Sequence, residues 1–255
     1  MEASIRSERR GPILLITIDR PAVRNAIDGN TARALTAAID MFDADGSLFI
    51  AVLTGEGGHF CAGADLYAAA RDGHSGSRTE RGPMGMCERP PAKPMIAAIE
   101  GVAAGGGFEM ALACDLIVAA EDARMGLPEV RYNLVATGGG LLRLPRRLPQ
   151  GLATEVALTG ALYPAAFFYT HGLVNRLAAT GQALVEAMAL AEQITANGPT
   201  ALAATAAILR AAPNWQGDVC WERQRTIAQP ALEAEDRQEG VRAFVEKRRP
   251  VWKGR

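Results

Sequence analysis

The stretch "EGVAAGGGFEMALACD", residues 100–115, decides how this chain is read. Three glycines, Gly105 to Gly107, stand between a strand-like apolar run and a short apolar helix. Glycines at that junction leave backbone N–H groups bare at a helix N-terminus, where the helix dipole and the unsatisfied donors favour negative charge. Glu109 falls on the first turn of that helix. Taken alone it is a helix-start carboxylate, worth roughly a few tenths of a kcal/mol through the dipole. Glu129, in "MGLPEV" (125–130), reads the same way, because Pro128 suits a first helical position and an acid follows it. A second glycine-rich stretch, "GEGGHFCAGADLYAAA" (55–70), also follows a strand-like run. Two carboxylates beside two such loops point to a site.

The familiar phosphate loops do not account for it. In the dinucleotide fingerprint GxGxxG, Gly55 and Gly57 fit but Phe60 occupies the third glycine position. The sequence contains no GxxxxGK[ST] and no GxSxG. Composition narrows the field further. The chain has 255 residues, 49% hydrophobic and 22% charged, with a net charge of -1. It is long enough for a substantial core, and no global field recruits nucleic acid or an anionic membrane. No apolar run reaches the roughly 20 residues of a membrane span. The N-terminal apolar run is too short for a signal peptide, so it reads as a first strand, and a cytoplasmic location is expected. Cys61, Cys87, Cys114 and Cys220 lack metal-ligand spacing, and His59, His74 and His171 are too scattered for a metal set. No metal or redox cofactor is expected.

Periodicity predicts strands at 13–19, 49–55, 95–101 and 114–120, a helix over 29–45 with Asn30 as its N-cap, and a short helix at 107–113. Strand, helix, strand at the start favours a largely parallel sheet. The polar, Gly/Ser-rich stretch 69–85 reads as a mobile surface loop. From about residue 150 every segment reads as helix, with Gly198 and Pro199 forming a break.

"HFCAGADL" together with "KPMIAAIEGVAAGGGFEMALACDLIVAAEDARMGLPEV" resembles the crotonase superfamily, whose best-known members are enoyl-CoA hydratases. The likeness runs from "LITIDRPAVRNAID" to "GVRAFVEKRRP", nearly the whole chain. It implies an α/β crotonase (ClpP-like) fold: a spiral of ββα units over residues 1–195, then a helical trimerisation region over 196–255. It also implies an oxyanion hole made by the backbone N–H groups of Ala64 and Gly106. Such donors are worth ~10²–10³-fold in rate each when fixed where enolate charge develops. The hydratase carboxylates match Glu109, which would hold and deprotonate water, and Glu129, which would transfer a proton at Cα. Coenzyme A, carried by the substrate, would touch Arg24, Ala62, Asp65 and Leu66, with Phe244 and Lys247 near the end. For Lys247, a solvated place on a basic helix is an equal reading. Phe108, Tyr132 and Thr137 would shape the acyl pocket.

Several positions depart from the family pattern. Tyr67 stands where a basic residue is common, Ala22 where lysine is common, and Asn133, Ala136 and Thr137 replace glycine and Pro-Gly. The expected activity is reversible syn hydration of a 2-enoyl-CoA to a 3-hydroxyacyl-CoA. The alternatives are Δ3,Δ2-enoyl-CoA isomerisation or other crotonase-type CoA-thioester enolate chemistry, and further a non-catalytic acyl-CoA-binding subunit. The expected assembly is a homotrimer or a dimer of trimers.

Overall fold

The computed structural model describes residues 4–72 and 76–255; His74 lies outside them. Strand β1 (Ile5–Arg10) turns back antiparallel onto β2 (Ile13–Ile18). Only β2 was expected. β1 escapes notice because it alternates little and carries Arg6, Glu8, Arg9 and Arg10 on a largely exposed edge. Helix α1 (Gly29–Ala44) buries Leu35, Ile39 and Phe42, one face at helical spacing. Its N-cap is Asp28 and not Asn30: the Asp28 carboxylate accepts from the Thr31 N–H at 2.8 Å. The chain continues through β3 (Ile50–Gly55), α2 (Leu66–Asp72), a small hairpin of β4 (Arg78–Thr79) and β5 (Gly82–Pro83), β6 (Met95–Ile99), β7 (Val102–Ala104), α3 (Gly106–Ala113), β8 (Leu116–Ala120) and β9 (Arg124–Gly126).

The described part of the 69–85 stretch is ordered, contrary to the sequence expectation. Arg81 is only 5% exposed and binds α1 through Asp40 at 2.7 Å and Asp43 at 2.8 Å, while also donating to the Arg89 carbonyl. A buried guanidinium so held costs about 3–5 kcal/mol if its partners are removed, so it pins the hairpin firmly. Polar composition hid this because the pairing partners lie some 40 residues away in α1.

After a 3-10 turn (Pro128–Tyr132) come α4 (Gly140–Arg147), α5 (Gln150–Thr159), β10 (Tyr163–Pro164), α6 (Ala165–Thr170), β11 (Arg176–Ala178), α7 (Ala183–Thr195), α8 (Pro199–Ala211), α9 (Val219–Glu233) and α10 (Glu235–Val245). The back half is therefore not all helix: β11 extends the main sheet and β10 joins a second one. The main sheet has the order β1-β2-β3-β6-β8-β11, parallel from β2 onward. Its inner strands β3, β6 and β8 are buried on both faces almost throughout, which is why they read as unbroken apolar runs.

The second sheet has the order β10-β9-β7 and continues through a bridge from Ala103 to Cys61. Three turns of a spiral result. β3, the Cys61 bridge and α2 form one; β6, β7 and α3 the next; β8, β9 and the Pro128–Tyr132 turn with α4 the third. The helical end is tied back to this core. Arg210 of α8 donates to the Pro91 carbonyl at 2.6 Å and pairs with Asp115, while within the helical end the Asp236 carboxylate accepts from the Lys253 and Gly254 amides at 2.8 Å.

Candidate active site

Each turn of the spiral contributes its strand-to-helix junction to one place. In the first, Ile27 N–H donates to the Gly63 carbonyl and Asp65 N–H donates to the Ile27 carbonyl, 2.8 and 2.9 Å. In that parallel bridge the residue between, Ala64, turns its own N–H away from Ile27, and it has no acceptor among the described residues. In the second turn, Gly106 opens α3, so its N–H has no intrahelical partner. The two junctions touch. A Cβ on Gly63 would stand 2.8 Å from the Ala104 carbonyl and 3.1 Å from the Gly106 nitrogen, and Gly63 holds φ +97°. Only glycine lets the two donors lie side by side.

Asn25 fastens the first junction from behind. Its amide donates to the Glu56 and His59 carbonyls at 2.8 and 2.6 Å, and its oxygen accepts from the Arg20 N–H. Asn25 has a positive φ of 58°, which asparagine tolerates better than most residues; that local tolerance is the one sequence sign of its role. Arg24 is exposed, and its carbonyl accepts from Ala62 N–H at 3.0 Å, so it stands at the mouth of the loop. Asp65 does not offer a free carboxylate. It pairs with Arg20 at 3.0 Å and caps α2 through the Tyr67 and Ala68 amides. Leu66 and Tyr67 are 52% and 88% exposed on the outer start of that helix. Cys61, between the loops, has its thiol pushed up to about 12 by burial and remains protonated.

The two carboxyls converge on the start of α3. Glu109 is 4% exposed, and its Oε1 accepts from the Gly140 N–H at 2.9 Å. Gly138 and Gly140 leave no room for side chains there: a Cβ on Gly138 would collide with Glu109 Oε2, and one on Gly140 would stand 3.1 Å from Oε1. Burial raises the Glu109 pKa, while the Gly140 and Gly138 amides and Arg143 pull it back. Glu129 lies against the other side of the same junction, where a Cβ on Gly105 (φ +55°) would meet its Oε1 at 2.9 Å. Glu129 Oε2 is buried without a hydrogen-bond partner. Burial raises its pKa to about 7, and the negative charge of Glu109 adds to the rise. A carboxyl whose pKa is raised toward neutrality beside an anchored one is an arrangement from which acid–base chemistry with split duties can be built.

The other expected site residues differ in their burial. Phe108 is fully buried in the core, its ring 5.2 Å from that of Phe168. Neighbouring helix positions point about 100° apart, so Glu109 facing the site turns Phe108 into the protein. Tyr132 is 67% exposed at the end of the 3-10 turn, and Thr137 is exposed before the Gly138–Gly140 turn. Phe244 and Lys247 are exposed on and just beyond α10. Met84 was not expected at all. It has φ +58°, is buried, and its Sδ would stand 2.7 Å from a Cβ on Gly106. A bulky residue held in the left-handed region against a bare donor is the kind of strain that gathers at functional sites.

A family model described as enoyl-CoA hydratase/isomerase matches residues 8–255. The chain belongs to the enoyl-CoA hydratase/isomerase family. It is 40% identical to a carnitinyl-CoA dehydratase of Salmonella typhi across 100% of both chains. Enoyl-CoA hydratases of Mycobacterium marinum and Mycobacterium tuberculosis share the fold at TM-score 0.96 and 50% identity, over 100% of both chains. A carnitinyl-CoA hydratase of Mycobacterium avium aligns at TM-score 0.79 and 40% identity over the same full extent. This member of the enoyl-CoA hydratase/isomerase family thus has the crotonase fold that its glycine loops implied. No helix among the described residues is long and apolar enough to cross a membrane, and no cluster of His, Cys, Asp or Glu among them could hold a metal ion.

Proposed function

We propose that this protein adds water reversibly, and syn, across the double bond of a 2-enoyl-CoA thioester. One observation carries the reading. A carboxyl held by backbone amides (Glu109) and a carboxyl with a buried, unpartnered oxygen (Glu129) meet at the junction where the Gly106 N–H is free. The thioester oxygen sits between the Ala64 and Gly106 amides. As water attacks Cβ, Glu109 takes its proton and the electrons of the double bond move onto that oxygen as an enolate. Glu129 then gives its proton to Cα, and the carbonyl re-forms. Water is added as OH at Cβ and H at Cα, and the pair ends with one proton, as it began. Arg24 and Leu66, exposed beside the first junction, would meet the nucleotide end of the substrate. Phe244 and Lys247 would reach a neighbouring copy's substrate if residues 196–255 form the subunit interface.

Incubation with crotonyl-CoA should bleach the ultraviolet absorbance of the conjugated thioester. The names of the relatives make carnitinyl-CoA, followed by the appearance of that absorbance, the second substrate to try. No change with either substrate, or with longer 2-enoyl-CoA chains, would overturn the reading.

The pH dependence is fixed in sign. Hydration consumes no net proton, so kcat/KM must follow one profile in both directions, governed by the carboxyl pair holding a single proton. Loss of that proton, with Glu129 raised to about 7, should make kcat/KM fall on the alkaline side from about pH 7. A pH–rate series with crotonyl-CoA checks this, and a rate that climbs between pH 7 and 9 would contradict it.

A further inference from the structure

Arg143, on the first turn of α4, belongs to none of the groups assigned above to the substrate, yet two segments of the site hang on it. Its Nη1 donates to the Gly138 carbonyl at 3.3 Å and its Nη2 to the Cys87 carbonyl at 2.6 Å. Gly138 begins the turn whose Gly140 amide holds Glu109. Cys87 closes the hairpin segment that carries Met84, whose thioether covers Gly106. A side chain at Gly139, which has φ +96°, would run into Nη1 of Arg143, so the arginine packs directly against the turn. The charged and titratable groups around Glu109 are Arg143 from α4, the Cys87 thiol from the hairpin segment, and Glu129 from the 3-10 turn. Arg143 is the cation among them.

We propose that Arg143 is a positioning residue for the reaction, clamping the Gly138–Gly140 turn to the Cys87 segment so that Glu109 stays aligned beside the oxyanion donors. It works through backbone: two carbonyls accept from one guanidinium fork, a span that a planar fork makes and an ammonium does not. Its charge acts in the same direction as its geometry, holding Glu109 in the form that accepts a proton from water. A misplacement of about 1 Å in a catalytic group can cost ~10²-fold in rate, so the clamp has a large effect without contact to substrate. This inference rests on Glu109 being the base that activates water.

The test compares wild type with Arg143→Met and Arg143→Lys in two measurements. One is kcat and KM for crotonyl-CoA across pH. The other is the titration of Glu109 by carboxyl ¹³C NMR, assigned through the signal missing in Glu109→Gln. Arg143→Met should lower kcat about 10- to 100-fold with KM little changed. It should also move the Glu109 titration, and the acid limb of kcat/KM, to higher pH. Arg143→Lys should restore the titration but only part of kcat. Wild-type kcat with an unmoved Glu109 titration in Arg143→Met would overturn the proposal. If Arg143→Met does not fold by circular dichroism, Arg143→Lys decides, because full wild-type kcat there would overturn it equally. A wild-type protein that hydrates no enoyl-CoA would overturn the functional reading, and the NMR titration would still judge the hold of Arg143 on Glu109.

Discussion

Changing Glu129 to Gln should lower kcat for crotonyl-CoA hydration by at least ~10²-fold, and Glu109→Gln should do the same. Both acids serve one addition, so the double variant should be little slower than the worse single one. The glutamine at 129 has a second expected effect of opposite sign. In the fold its carboxyl is pushed from 4.5 to about 7, so the native state keeps the proton that the unfolded chain gives up. Between those two pH values the unfolded state binds fewer protons, and stability falls as pH rises. Above about pH 7 the native protein bears the full cost of an ionised, half-buried carboxylate with an unpaired oxygen. Glu129→Gln removes that cost, so its melting temperature should exceed that of wild type at pH 8 and converge with it toward pH 4. Thermal melts at several pH values read this directly. An inactive variant that is also less stable at pH 8 would show damage to the fold, and wild-type turnover would refute the role of Glu129.

The second large effect is expected at Gly63. Gly63→Val places a branched side chain at φ +97°, against the Ala104 carbonyl and over the Gly106 nitrogen. One oxyanion donor is displaced or covered, and kcat/KM should fall by ~10²–10³-fold. Gly11 supplies the control. It also has a left-handed φ of +59°, in the turn between β1 and β2, but nothing lies within 4 Å of a Cβ there. Gly11→Ala should therefore cost about 1 kcal/mol of stability and leave kcat/KM unchanged. A Gly63 variant that retained wild-type kcat/KM in steady-state assays would remove the Gly106 amide from the mechanism.

The inner strands and α3 were legible in the sequence because unbroken apolar runs and a short apolar helix leave little freedom of interpretation. Residues whose roles depend on distant partners were not. The Arg81 hairpin looks like a loop until α1 supplies Asp40 and Asp43. The helix cap moved from Asn30 to Asp28 because both residue types suit a cap and only backbone geometry selects one. β11 is three residues long, too short for periodicity to separate it from the helices around it. At the site, the glycine loops and both acids stood out, since their chemistry is local. Phe108 did not betray its inward direction, which depends on the rotational phase of α3. Met84, Asn25 and Arg143 act through backbone groups far away in sequence, and a single sequence does not show which carbonyls a side chain will reach.

The spiral also separates what must stay fixed from what can change. Cys61 pairs with Ala103, and Ala103 with Met125, in one parallel ladder. Counting three residues on from the first two leads to Ala64 and Gly106, and four on from the third leads to Glu129. Neighbouring rungs of such a ladder are spaced about 4.8 Å apart, so main-chain hydrogen bonding sets the spacing of the donors independently of any side chain. The lower two rungs give the amides of Ala64 and Gly106, where little beyond glycine and alanine fits, and α3 behind the second also carries Glu109. The third gives a side chain, free to be exchanged without moving the other two. A fold built this way can change the side chain offered by its top rung through one substitution while the spacing of the two amides below stays intact.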